Sequence, residues 1–254
     1  MFRNLELSRC LLTALFVAGV LPLWAGSPVT FQSSEKQALL LELYTSQGCS
    51  SCPPAEKWIG RLVSDRRLWK EIVPMALHVD YWDWIGWKDP FASPDYTLRQ
   101  REYKKARRVK TVYTPCFVAN GREWRAWFSM NRKLPKSTVR AGRLEGTVNN
   151  GDLSVRYHRT AGALVLHVAL LGVGLSTRVE RGENAGRTLK HDFSVLAMTQ
   201  QSSTNATWSL ALPTPRDASA RRYAIALWVS RPDSLLPLQS TGAWLPGYRP
   251  PIDS

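Results

Sequence analysis

The stretch Ala38-Leu39-Leu40-Leu41-Glu42-Leu43-Tyr44-Thr45-Ser46-Gln47-Gly48-Cys49-Ser50-Ser51-Cys52-Pro53-Pro54 sets the reading of the whole chain. Residues 38–44 form a short, nearly continuous apolar run, the pattern of a strand buried on both faces of a mainly parallel sheet. Pro53 to Asp65 predicts a helix. Its two prolines suit a first turn, where their missing N–H groups would have no partner, and Glu56 complements the positive end of the helix dipole. Between strand and helix stand two thiols one turn apart. The pattern places Cys49 at the helix N-terminus, where free N–H groups and the dipole favour a thiolate. Cys49 is therefore the expected nucleophile and Cys52 the resolving thiol of a redox pair. Ser50 and Ser51 are uncharged and leave the redox direction open.

Outward from this unit, Ile72 to Asp80 predicts a second strand, and a strand, helix, strand order implies a right-handed parallel crossover. His78 and Asp80 alternate on that strand. Facing one side, they could sit near Cys52 and assist proton transfer, but the preferred reading is a hydrogen-bonded core histidine and a strand-end aspartate. Tyr81 to Pro90 predicts a loop, and its Trp82, Trp84 and Trp87 either close over the core or line a peptide groove. A helix is expected from Ser93-Pro94 to about Arg108. Its basic residues, Arg99, Arg101, Lys104, Lys105 and Arg108, read as a solvated outer face.

Val112 to Gly121 contains Tyr113-Thr114-Pro115-Cys116, followed by an Asn120-Gly121 hairpin turn. A Thr-Pro pair opening a short apolar strand, after the dithiol unit and a second helix, resembles the proline loop of thioredoxin-like proteins. The resemblance implies a cis Pro115 facing the dithiol, with Thr114 and Pro115 forming the substrate-binding edge. Leu43 to Pro54, His78-Val79-Asp80-Tyr81-Trp82-Asp83 and Tyr113-Thr114-Pro115 together resemble the signatures of a family of exported bacterial proteins of unknown function with that fold. Members of that family usually carry an amide residue after the proline. Here Cys116 is expected to pack as a small buried hydrophobe, the other reading being an alternative disulfide with Cys49 or Cys52.

From about Leu144 the pattern changes to alternating runs, 153–157, 163–170, 193–197, 208–212 and 223–229, separated by turn-rich segments. They predict an antiparallel sandwich. Arg181 to Arg187 also resembles a segment of the same exported family and reads as a turn. The expected fold is thus an α/β thioredoxin-like N-terminal domain followed by an all-β sandwich-like C-terminal domain. The expected boundaries are a signal peptide over 1–25, domains over 26–140 and 141–240, and a loose tail over 241–254.

The signal reading rests on Arg3 and Arg9 ahead of an apolar stretch from Cys10 to Ala25, short for a membrane span, and it implies a periplasmic or secreted protein. Cleavage would leave Cys49, Cys52 and Cys116. The net charge of +14 points, in an exported protein, to anionic envelope surfaces or acidic proteins, and nucleic acid is not an expected partner. A C-x-x-C bridge closes too short a loop to add much fold stability, which favours exchange over a structural role. The expected activity is thiol–disulfide exchange on exported proteins bearing thiols or disulfides, with no cofactor and no metal. The alternatives are a non-catalytic envelope-associated binding module and, on the two thiols, a copper(I) carrier.

Overall fold

The computed structural model describes residues 27–129, 132–159, 162–215 and 220–250; the expected signal peptide lies outside them. Among the described residues, fourteen strands and two α-helices follow in chain order. The strands are β1 (Val29–Gln32), β2 (Leu39–Thr45), β3 (Ile72–His78), β4 (Cys116–Ala119), β5 (Arg122–Glu123), β6 (Leu144–Asn149), β7 (Asp152–Tyr157), β8 (Leu164–Val173), β9 (Leu175–Arg178), β10 (Thr188–His191), β11 (Ser194–Ser203), β12 (Thr207–Ala211), β13 (Arg222–Ser230) and β14 (Pro237–Trp244). The helices are α1 (Pro53–Gly60), continued by a 3-10 turn over Arg61–Ser64, and α2 (Pro94–Lys105). Ser93 caps α2, its hydroxyl accepting from the Asp95 N–H at 3.3 Å, with Pro94 opening the helix.

The apolar run does form β2, buried at every position and parallel to β3, with α1 connecting the two. β2 also pairs antiparallel with β4, which turns through Asn120-Gly121 into β5. Both turn residues have positive φ, 45° and 76°, which explains the Asn-Gly pair.

The expected α/β thioredoxin-like domain followed by an all-β sandwich is not what the chain builds. A single eight-stranded sheet, in the order β14-β13-β8-β11-β3-β2-β4-β5, takes strands from both halves of the sequence. The joint is a short parallel contact between β11 and β3 at Ser194 and Ala76, where the Ala76 N–H donates to the Phe193 carbonyl at 2.8 Å. The physical reason is an edge: β3 would otherwise expose unpaired backbone groups, and β11 occupies that place. The described residues are therefore mostly β, with α1 and α2 resting on one end of a long sheet.

A second sheet, β1-β6-β7-β12, covers the other end. Alternation in β8 and β13 serves two cores at once. Leu166, Val168, Leu170, Ile225, Leu227 and Val229 pack towards the second sheet, while Ala169, Leu171, Ala224, Ala226 and Trp228 join the core that contains β2, β3 and the helices. β9 and β10 form a separate hairpin that brings His191 against α1.

Candidate functional site

The dithiol occupies the turn between β2 and α1. The Cys49 N–H donates to the Ser46 carbonyl and the Cys52 N–H to the Cys49 carbonyl, each at 3.2 Å, so the turn runs directly into the helix. Cys52, rather than Cys49, is the residue at the helix cap, and its carbonyl receives the Ala55 and Glu56 N–H groups. Cys49 lies one turn outside. Its stabilisation comes from hydrogen bonds more than from the helix end: the Cys52 thiol first, then the Ser51 hydroxyl and Thr114. These outweigh burial and bring Cys49 down to about 6. The Ser51 hydroxyl is 3.2 Å from the Cys49 sulfur; the Thr114 carbonyl, 3.8 Å away, accepts from the thiol form, and it is the Thr114 side chain that lowers the value. Cys52 behaves oppositely. Burial, with the neighbouring Cys49 sulfur, pushes it well above the ordinary thiol value.

The Thr114–Pro115 peptide bond is cis, and the Trp82 indole N–H donates to Thr114 Oγ1 at 2.8 Å. A shallow groove beside the dithiol is lined by Ser51, Tyr113, Thr114, Pro115, Trp127, Phe128 and Arg132. Cys116 begins β4 opposite Tyr44, fully buried, and burial pushes its thiol up to about 12. It packs in the core as a poor nucleophile, and the described cysteines are all free thiols.

His78 and Asp80 are not brought together. His78 points inward, its Nδ1 2.7 Å from Asp89 Oδ2 and its Nε2 3.3 Å from the Ser194 hydroxyl. Asp80 turns to α2, where it accepts from the Thr97 hydroxyl at 2.5 Å.

Several site residues escaped the sequence reading. Glu56, expected as a dipole partner, is buried; it accepts from the Thr45 hydroxyl at 2.6 Å and contacts His191 Nδ1. Burial would raise the Glu56 carboxyl, but His191 beside it, with the Thr45 hydroxyl, outweighs burial and holds it below its usual value. Gln47 ties the region together. Its N–H donates to Asp89, its side-chain carbonyl accepts from the Trp87 indole, and its amide nitrogen reaches His191 and Thr177.

The segment read as a plain turn also contributes. Asn184 is buried and donates to the Gln47 and Cys49 carbonyls at 2.9 and 3.0 Å, while Glu183 accepts from the Ser50 N–H at 2.9 Å. Gly182 lets this loop approach: at φ 77° it lies so close to Ile85 that a Cβ would stand 2.7 Å from Ile85 Cδ1. The only local signal was the polar Asn184 between glycines.

A family model described as a protein of unknown function, DUF1223, matches residues 40–230. The chain belongs to the DUF1223 family. Two solved structures share its fold. One is protein AGR_C_4864 from Agrobacterium tumefaciens, 22% identical, with a TM-score of 0.58, over 87% of this chain and 99% of that one. The other is HBP35 of Porphyromonas gingivalis, 10% identical, with a TM-score of 0.53, over 87% of this chain and 79% of that one. No curated protein matches the sequence. The dithiol and the Asn184 loop both fall within the segment that defines the DUF1223 match.

Proposed function

We propose that this DUF1223 protein carries out thiol–disulfide exchange on exported proteins through Cys49 and Cys52. One observation carries the reading. Ser51 and Thr114, whose oxygens approach the Cys49 sulfur, also line the adjoining groove, whereas Cys52 caps α1 in the interior. The neighbours of the nucleophile thus reach the groove, and the two thiols differ in acidity.

In the reductive direction the Cys49 thiolate attacks one sulfur of a substrate disulfide, and the other substrate sulfur leaves as a thiolate that takes a proton from water. Cys52 then attacks Cys49, its proton passing to the departing second substrate sulfur. The mixed disulfide breaks, the second substrate thiol is released, and Cys49–Cys52 becomes the disulfide. The substrate gains two electrons and the protein dithiol loses them; the oxidative direction is the reverse. Thr114 and Pro115 form the edge against which an extended substrate segment lies. Tyr113, Trp127 and Phe128 supply apolar contact there.

The test is a pair of substitutions. Cys49→Ser is expected to abolish exchange with a model disulfide, and Cys52→Ser to accumulate mixed disulfides visible by mass spectrometry. Wild-type exchange in both variants contradicts the reading. One observation favours a second reading, a non-catalytic envelope-associated module: Cys49 exposes only 1% of its surface. Under that reading, neither variant changes the thiol chemistry of added substrates.

A further inference from the structure

No step of the exchange reaction is assigned to the buried cluster behind the dithiol. Glu56, His78 and His191 each bring one ligand-type atom to within 4.8 Å of the other two, and all three side chains are buried. On each of them the second polar atom is already held. Thr45 donates to Glu56 Oε1 at 2.6 Å, Asp89 Oδ2 lies 2.7 Å from His78 Nδ1, and the Gln47 amide nitrogen is 3.1 Å from His191 Nε2. Glu56 Oε2, His78 Nε2 and His191 Nδ1 face one another, the first and last already in contact, and His78 Nε2 also lies 3.3 Å from the Ser194 hydroxyl, a bond that an ion would replace.

A carboxylate on the far nitrogen of a histidine and a hydroxyl on the far oxygen of a carboxylate are the supports that orient metal ligands. Charge allows an ion in place of protons on the two histidines. Glu56 and Asp89 are both buried, and their hydrogen-bond partners are histidines, a hydroxyl and backbone N–H groups, with no lysine or arginine among them. Two buried carboxylates without a fixed cation are costly unless protons or an ion compensate them.

We infer that Glu56, His78 and His191 bind a divalent first-row transition ion, with Asp89 positioning His78. Two imidazoles and one carboxylate suit Zn²⁺ or Fe²⁺ rather than Mg²⁺ or Ca²⁺, which favour all-oxygen sites. Coordination through His191 Nδ1 leaves the imidazole proton on Nε2. Gln47 must then turn its carbonyl towards His191, giving up the 3.0 Å bond from Trp87. Because the ligands are buried, the ion enters as the chain folds. This site is independent of the exchange reading, since its assay involves no thiol chemistry.

The experiment refolds the wild-type chain with Zn²⁺ or with a chelator, then measures metal content and zinc-edge X-ray absorption. The expected result is one Zn²⁺ per chain, with a nitrogen and oxygen shell at about 2.0–2.2 Å and no sulfur at about 2.3 Å. Asp89→Asn should weaken binding on the order of tenfold to a hundredfold, and His78→Ala should weaken it further. A folded chain that retains no Zn²⁺, or a sulfur shell showing the ion on the cysteines, overturns the site without recourse to any variant. So does undiminished affinity in a folded His78→Ala protein.

Discussion

Two glutamates are buried on opposite faces of the same strand region, and their partners differ in kind. Glu42 of β2 faces α2. Its carboxylate takes the Arg99 guanidinium at 2.6 Å and the Tyr103 hydroxyl at 2.6 Å, and the guanidinium also lies over the Trp228 ring at 5.2 Å. Glu56 of α1 faces the other way, towards Thr45, His191 and the dithiol turn. Arginine remains charged under all ordinary conditions and offers no lone pair, so the first arrangement is a fixed fastening of helix to sheet. Histidine, thiol and hydroxyl groups exchange protons and can meet an ion. One face of the sheet is therefore built for permanence and the other for chemistry.

The largest expected effect breaks the permanent side. Arg99→Leu leaves Glu42 buried without its cation and should cost about 3–5 kcal/mol in denaturant unfolding. Adding Glu42→Gln should restore much of that loss. A cost for Arg99→Leu below about 1 kcal/mol would place this pair with ordinary surface ion pairs and dissolve the contrast.

On the other face, Glu56→Gln keeps the shape and the Thr45 contact while removing the charge. Its expected cost, about 1.5–3 kcal/mol, corresponds to hydrogen bonds made to an ionised group. Equal losses from Arg99→Leu and Glu56→Gln would show that the two faces are held alike.

How much of this was legible in the sequence follows from the range of each contact. The run through Leu43, the dithiol, the prolines of α1 and the Asn120-Gly121 turn are local, and their chemistry is written in adjacent residues. The continuity of the sheet is not, because it depends on Ser194 meeting Ala76 across more than a hundred residues. β14 was hidden by its polar content. Gln239, Ser240 and Thr241 are buried, and Gln239 bonds the Ala38 N–H and the Ser34 and Gly142 carbonyls, contacts that no periodicity announces. Glu56 misled for the same reason: its partner His191 is on a distant hairpin, so the residue read only as a complement to the helix dipole.

The remaining predictions contrast the thiols of the two faces. Cys49, lowered to about 6, should be alkylated by iodoacetamide at a rate that rises as pH passes through about 6 and then levels, because the thiolate persists above that value. Cys116, raised to about 12, should remain unmodified in the native protein near neutral pH. A Cys49 rate still rising steeply above pH 8 would contradict the hydrogen-bonded thiolate. The smallest effect belongs to Cys116→Ala, which should cost about 1 kcal/mol of stability through lost packing. Exchange should be unchanged.

The most direct measurement of the central claim is a glutathione redox titration of the protein, with mass spectrometry locating the disulfide at each potential. The expected result is a reversible Cys49–Cys52 couple with a midpoint in the range of exchange proteins, roughly −120 to −270 mV. A pair that resists reduction throughout that range, or a disulfide that consistently includes Cys116, would contradict it.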